Sequence, residues 1–303
     1  MIETKKLLDR IELLFPCKEN IRYRRAMLDH DFESARFIIE LINEYKPWSI
    51  FLNNLIKKLR DYPKLEVALH QSQVQSKHWL VDELKKVVDD HDDPKIKALT
   101  TIKKNYWKSY EDSGEMAQWM ADASNISIVF IYGGWYGILA GMLFCHLSIN
   151  KIRSFDMDPE CREVARKLNI EQTKTWDFQA ATLDVSNLEY EKKDERWKTK
   201  VTYFNDKLEE NELEESPDFI INTSAEHMVD KWFYNIPEQT MVLIQSNDYH
   251  ELPDHINCVK SLDHMKEKYK LSNILYSGTL EQKGNLVQGV PRVFKRFMLI
   301  GIK

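Results

Sequence analysis

Four of the nine glycines in this chain lie in one short segment, at Gly133, Gly134, Gly137 and Gly141. They follow the β-branched run 126–131 and open the apolar run 138–147, which predicts a strand, a turn and a helix. Glycine permits positive φ angles and a close approach of the backbone to a ligand, and a helix N-terminus attracts anions. The segment therefore predicts a nucleotide-type ligand site at the carboxyl end of a strand.

A carboxylate, Asp156, follows about 20 residues after the glycines, at the end of the next apolar run in IRSFDMDPE. At that spacing a carboxylate can accept hydrogen bonds from both hydroxyls of a ribose. The alternative is that Asp156 and Asp158 only cap the helix that begins near Pro159. We expect Asp158 to be the cap, which leaves Asp156 for the ribose.

The phrase NTSAEHM, residues 222–228, follows a later apolar run and carries groups suited to proton transfer. Histidine titrates near neutral pH, so His227 is the first candidate general base and Glu226 the second. Thr223 and Ser224 are candidate substrate contacts. In the alternative interpretation Thr223 or Ser224 caps a helix over 225–233, Glu226 completes the capping box and His227 is solvated.

A second polar phrase, QSNDYHELPDH, follows the next apolar run and offers Asn247 and Tyr249 as substrate contacts. His250 and His255, with Asp248 and Asp254, match no common metal-ligand spacing. We therefore expect a surface loop here and no metal.

These polar phrases require a scaffold that brings strand ends together. After Asn125 short β-branched runs alternate with helical segments, which predicts an α/β fold with a mostly parallel sheet and helices on both faces. The last two runs have no helix between them and predict a C-terminal antiparallel hairpin. The charged stretch Glu189–Glu215 predicts an exposed insertion.

Before this domain, residues 1–120 show apolar residues at helical spacing, interrupted by prolines. They predict an all-helical N-terminal domain that covers the pocket and selects the substrate, followed by a nucleotide-binding domain over 121–303. Its phrases IRYRR and HQSQVQSKHW could contact an acidic or phosphate-bearing substrate. The alternative is that they are solvated charged faces.

From Ile126 onward, the chain resembles the class I, Rossmann-like S-adenosylmethionine-dependent methyltransferases, most clearly in FDMDPE. The resemblance implies that the glycine turn holds the methionine portion of S-adenosylmethionine, that Asp156 holds the ribose, and that Asp184 in ATLDV meets the adenine amino group. The cofactor-binding residues it implies are Tyr132, Gly133, Gly134, Trp135, Gly137, Asp156, Met157, Asp184 and Asn222.

Two positions depart from the family pattern: Trp135 replaces the middle glycine, and Ile131 replaces the acid before the turn. Trp135 and Tyr136 either line the pocket, where aromatic faces attract a sulfonium, or pack on the N-terminal domain.

The resemblance implies a methyltransferase acting on an O, N or C nucleophile of a small molecule, protein or RNA. Aminocarboxypropyl transfer or lyase chemistry would use the same cofactor. An NAD-dependent oxidoreductase would use the same glycine turn and Asp156, and a non-catalytic binding module could retain the fold.

Composition and charge bear on the partners and the cellular compartment of the protein. The net charge of −5 shows no basic surplus, so there is no strong nucleic-acid signature. The N-terminal segment MIETKKLLDRIELLF mixes charge into its apolar positions, unlike a membrane span or signal peptide. The four cysteines form no CxxC pair. We expect a soluble, cytoplasmic protein of 303 residues.

Overall fold

The computed structural model describes residues 71–90, 128–147, 149–193, 195–204, 209–287 and 290–303. Of the N-terminal domain, only one helix, α1 (Gln71–Asp90), falls in this part of the chain. The other helices expected over residues 1–120, the phrase IRYRR and the boundary near residue 120 lie outside the described residues.

The main element is a seven-stranded sheet. Its strands are β1 (Ile128–Tyr132), β2 (Lys151–Asp156), β3 (Phe178–Thr182), β7 (Pro217–Asn222), β8 (Met241–Asn247), β9 (Asn273–Val287) and β10 (Val290–Ile302). Their order is β3-β2-β1-β7-β8-β10-β9. The first five in that order are parallel, so their carboxyl ends meet at one edge of the sheet.

The predicted C-terminal hairpin is confirmed, because β10 pairs antiparallel with both β8 and β9. Pairing between β10 and β8 begins where Arg296 faces Asn247. The hairpin continues past this point, since Lys295 pairs with Glu281 and Val290 with Val287. It therefore extends beyond the edge at which the parallel strands end.

Helices cover both faces of the sheet. The short α2 (Ile138–His146) is apolar on all sides and packs with α1 against one face. The amphipathic α3 (Pro159–Leu168) and the short α4 (Ile170–Lys174) precede β3. The opposite face carries α5 (Lys231–Asn235) and α6 (Leu262–Lys268). The fold is the Rossmann-like one expected from the sequence.

The inserted segment is more ordered than its charge predicts. It forms a three-stranded antiparallel sheet of β4 (Glu191–Lys193), β5 (Arg196–Phe204) and β6 (Glu210–Glu215). Buried and exposed residues alternate along β5, so Val201 and Tyr203 join the core beneath the main sheet. The expectation of a simply exposed insertion is wrong, because one face of β5 is apolar and packs.

Within the described residues, no helix combines the length and the apolar character needed to cross a bilayer.

Candidate functional site

The glycine turn lies beside Asp156, as the sequence predicted. The backbone N–H of Trp135 donates to Asp156 Oδ2 at 2.9 Å, and the N–H of Asp158 donates to Oδ1 at 3.0 Å. Both carboxylate oxygens are therefore oriented by the backbone, while the residue stays half-exposed at the carboxyl end of β2. Each oxygen keeps a lone pair for a further donor.

Asp158 is confirmed as the helix cap, since its side chain accepts from the N–H of Glu160 at 2.9 Å and Pro159 opens α3. The structure thus places Asp158 at the N-cap of α3, as its position before Pro159 indicated.

The glycines of the turn are required by contacts inside the protein. A Cβ on Gly133 would lie 2.9 Å from Ser224 Cβ, and one on Gly134 would lie 1.9 Å from Ser154 Oγ. Gly137 has φ +71°, and a Cβ there would lie 2.9 Å from Ala165 Cβ. The turn therefore packs closely against both the loop after β7 and helix α3.

Trp135, which replaces the middle glycine of the family pattern, has φ 48°, in the left-handed region that favours glycine. Its ring stacks on Tyr136 with centroids 5.0 Å apart. Tyr136 is buried in the core that α1 and α2 share, and Trp135 is half-buried against it.

The other residues expected near the cofactor lie around the same edge. Asp184 follows β3, and its side chain accepts from the N–H of Ser186 at 2.9 Å. The N–H of Leu183 donates to the Asp156 carbonyl, which ties the two loops together. Met157 is 69% exposed beside Asp156. Tyr132 is buried with its hydroxyl 2.5 Å from that of Tyr190, so only its backbone is placed to meet a ligand.

The loop after β7 does not have the predicted capping arrangement. Ser224 makes no side-chain cap, and residues Ala225–His227 form one 3-10 turn instead of the start of a helix over 225–233. Asn222 Oδ1 accepts from the N–H of Ser224 at 2.9 Å, and Asn222 is fully buried. The alternative of a capping box completed by Glu226 is wrong, because that carboxylate has other partners.

Glu226 forms a buried ion pair with Arg296. Arg296 Nη2 lies 3.1 Å from Glu226 Oε1, with side chains 6% and 2% exposed. Asn247 Nδ2 donates to the same oxygen at 2.6 Å. Arg296 also donates to Gln282 Oε1 and to the Thr223 carbonyl. The Glu226 carboxylate is thus positioned by side chains of strands β8 and β10.

His227 is the more exposed of the two base candidates. Its Nδ1 lies 3.1 Å from the Asp254 carbonyl and 3.3 Å from Asp254 Oδ2. Since both partners are acceptors, we assign the hydrogen to Nδ1, which leaves Nε2 as the basic nitrogen. His255 lies next to it, with ring centroids 4.6 Å apart.

The two candidate substrate contacts after β8 differ. Asn247 is fully buried and its Oδ1 accepts from the N–H of Tyr249 at 2.9 Å, so both ends of its amide are engaged. It is placed to position Glu226. Tyr249 is half-buried and stacks on Phe294 of the hairpin, with centroids 5.3 Å apart.

Sequence reasoning missed Arg296 and Lys77. Arg296 lies on the same face of β10 as buried Met298 and Ile300, and a basic residue on the apolar face of an alternating strand is a signal for a buried ion pair. Lys77 lies in α1, next to Ser76, whose Oγ donates to Gln245 Oε1 at 3.0 Å. The start of α1 is therefore attached to the edge where the candidate site lies.

Burial, and after it repulsion by the Arg296 guanidinium, lowers the pKa of Lys77 from 10.5 to about 7. Below pH 7 the ammonium is charged in both the folded and unfolded protein, so the full penalty of burying it is present. Above pH 10.5 the amine is neutral in both states and the penalty is gone. Between these values the free energy of unfolding rises with pH on account of Lys77.

We therefore expect Lys77→Met to raise the free energy of unfolding by about 1–2 kcal/mol near pH 6 and by much less near pH 10. The gain at pH 6 is limited because solvent screens part of the charge. Urea denaturation at the two pH values measures this difference. Lys85→Met, at an exposed position of the same helix, is the control. An equal gain at both pH values would contradict the assignment.

Comparisons with known proteins concern the fold. No family model matches this chain, and no curated protein sequence matches it. Solved structures similar to it include TehB from Haemophilus influenzae, at 13% identity and TM-score 0.40, with 62% of each chain covered. YcgJ from Bacillus subtilis has 13% identity and TM-score 0.38, covering 61% of this chain and 97% of its own.

The N-methyltransferase NodS from Bradyrhizobium japonicum has 10% identity and TM-score 0.39, covering 76% of this chain and 98% of its own. The class of fold is defined by the strand order and hairpin described above.

Proposed function

We propose that this chain is an S-adenosylmethionine-dependent methyltransferase. The observation that carries the proposal is the placement of Asp156, at the carboxyl end of β2, with its carboxylate bonded to the N–H of the glycine turn. A carboxylate at that point of a Rossmann-like sheet is suited to bind the ribose of a nucleoside.

The residues present fit such a cofactor. Asp156 is oriented by two backbone amides yet remains half-exposed, so its oxygens can also accept from a ribose diol. Asp184 lies one strand further on and Met157 is largely exposed, which suits them to the adenine. The positive charge of a sulfonium would be attracted to an aromatic face, and Trp135 is an aromatic residue of the glycine turn itself.

S-adenosylmethionine would supply a methyl group on a positively charged sulfur. The chain's own part is to hold an acceptor in line with that group and to take its proton. We propose that His227 Nε2 accepts the proton of the acceptor, because Nδ1 is hydrogen-bonded to the Asp254 carbonyl. Glu226, paired with Arg296, is better suited to positioning the loop than to acting as a base. The acceptor, an O, N or C nucleophile, is left open.

We also propose that the N-terminal domain, residues 1–120, closes the acceptor side of the site. The contact of Ser76 with Gln245 near the end of β8 supports this, because it brings α1 to the edge where Glu226 and Arg296 lie. In this arrangement Tyr249 and Thr223 flank the acceptor.

An NAD-dependent oxidoreductase is the second candidate. It is favoured by the same glycine turn and Asp156, but the antiparallel hairpin that ends the sheet suits the methyltransferase sheet better. The two functions differ in the nucleoside they bind, so one binding experiment separates them.

We expect the protein to bind S-adenosylhomocysteine, the product of methyl transfer, and Asp156→Asn to bind it roughly 10- to 100-fold more weakly. The amide loses charge-assisted hydrogen bonds worth about 1.5–3 kcal/mol. Isothermal titration calorimetry of wild type and variant measures the change.

Asp177→Asn is the matched control, because Asp177 precedes β3 at the opposite edge of the sheet and is bonded to Thr175. It should bind like wild type. NAD⁺ titrated in parallel should show no binding. Binding of NAD⁺ alone, or of neither compound at millimolar concentration, would overturn the proposed function.

A further inference from the structure

Three potential metal ligands converge in the loops that follow β7 and β8. The ligand atoms of Glu226, His227 and His255 all lie within 4.8 Å of one another. His227 comes from the turn after β7 and His255 from the loop after β8. The two loops are held together where the N–H of Asn257 donates to the Glu226 carbonyl at 2.9 Å.

The Glu226 carboxylate has one oxygen to spare. Oε1 accepts from Asn247 and Arg296, whereas Oε2 is buried and has no hydrogen-bond partner among the described residues. A buried carboxylate oxygen without a donor is unfavourable, and nearly all such atoms in proteins have a partner. Within the described part of the chain this oxygen is therefore available to a bound ligand.

Both histidines are arranged as metal-ligating histidines usually are. His255 Nδ1 lies 2.6 Å from the Tyr249 carbonyl, and His227 Nδ1 lies 3.1 Å from the Asp254 carbonyl. A hydrogen bond from Nδ1–H to a carbonyl or carboxylate fixes the tautomer and leaves Nε2 to coordinate. The Asp254 carboxylate, 3.3 Å from His227 Nδ1, adds a carboxylate–histidine contact of the same kind.

We propose that Glu226, His227 and His255 form a site for a divalent first-row transition metal ion such as Zn²⁺. Two imidazoles and one carboxylate suit these ions, whereas Mg²⁺ prefers ligands that are all oxygen. Zinc bonds of about 2.0–2.2 Å require the ligand atoms to draw together by roughly 1 Å. The exposed His227 can make this movement, and the remaining coordination positions stay open for a substrate atom.

This proposal differs from the expectation that the loop after β8 holds no metal. That expectation rested on spacing within the loop, whereas the ligands come from two loops. The proposal of metal binding depends only on the geometry of Glu226, His227 and His255. Its consequence, that an occupied site makes His227 a ligand instead of a base, rests on the proposed function.

The test is isothermal titration of ZnCl₂ into protein stripped with a chelator. We expect one ion per chain at this site in wild type, and binding roughly 100-fold weaker or worse in His255→Ala, since losing a ligand exceeds the 10- to 100-fold effect of losing a ligand's support. MgCl₂ should bind far more weakly than ZnCl₂.

His250→Ala is the matched control, because His250 is an exposed histidine of the same loop outside the cluster. It should bind zinc like wild type. Glu226→Gln keeps an oxygen for Asn247 and Arg296 while removing the anionic one, and should weaken zinc binding without loss of the fold by circular dichroism.

Wild-type affinity in both His255→Ala and Glu226→Gln, or equal losses in His250→Ala, would overturn the metal site. S-adenosylhomocysteine is titrated into the same chelated protein, where we expect it to bind. Zinc binding and nucleoside binding are thereby measured separately, and either proposal can fail while the other holds.

Discussion

Replacing Glu215 with leucine is expected to lower the free energy of unfolding by about 3–5 kcal/mol, because Arg153 would be left charged and buried without its partner. Arg153 Nη2 lies 2.6 Å from Glu215 Oε1, and the two side chains are 2% and 7% exposed. The Tyr203 hydroxyl donates to Glu215 Oε2 at 2.8 Å and would also lose its acceptor. Urea denaturation measures the change.

Two further variants make this result specific. Glu212→Leu alters an exposed glutamate of the same strand, paired with Lys200 at 3.3 Å, and should change stability by less than about 1 kcal/mol. Arg153→Met combined with Glu215→Leu should recover most of the loss, since an apolar pair of similar volume can replace a buried ion pair. If Glu215→Leu alone were as stable as wild type, the buried ion pair would not contribute to stability as proposed.

The second large loss of stability is expected from a substitution of Glu226, at the edge where the parallel strands end. Glu226→Leu removes the partner of Arg296, which is 5% exposed, and the acceptor of the buried Asn247 amide. We expect the free energy of unfolding to fall by about 3–5 kcal/mol, again measured by urea denaturation.

Glu226→Gln should lose much less stability, because its amide oxygen can still accept from both partners. Glu267→Leu, at an exposed position of α6, is the matched surface control and should be nearly neutral. Glu226→Leu with Arg296→Met should regain stability without regaining zinc binding. If stability did not return, the loss would come from the loop and not from the unpaired guanidinium.

The two ion pairs have different positions and different roles. Arg153 and Glu215 link the inserted sheet to β2. Their side chains are hydrogen-bonded to each other, to nearby backbone carbonyls and to the Tyr203 hydroxyl. In contrast, Glu226 keeps one buried oxygen to which no described residue donates. The first pair is explained by folding alone, whereas the second leaves a group for a ligand.

The sequence by itself determined the features that depend on local pattern. The runs ISIVFIY, KIRSFDM, DFIIN and TMVLIQS contain strands β1, β2, β7 and β8. The C-terminal runs NILYSGTL and RVFKRFMLIGI form the antiparallel hairpin. Asp158 caps α3, as its position before Pro159 indicated. Such features are encoded by neighbours a few residues apart, through side-chain alternation, helical spacing and cap geometry.

Tertiary structure alone decided which charged residues became buried and which partners they met. Glu215 is 62 residues from Arg153, and Glu226 is 70 residues from Arg296, so no local pattern joins them. Charge within the segments 189–215 and 222–228 therefore indicated solvent or a helix cap. Burial instead depends on the element that packs above each side chain, and a buried charge is stable only where folding brings an opposite charge to it.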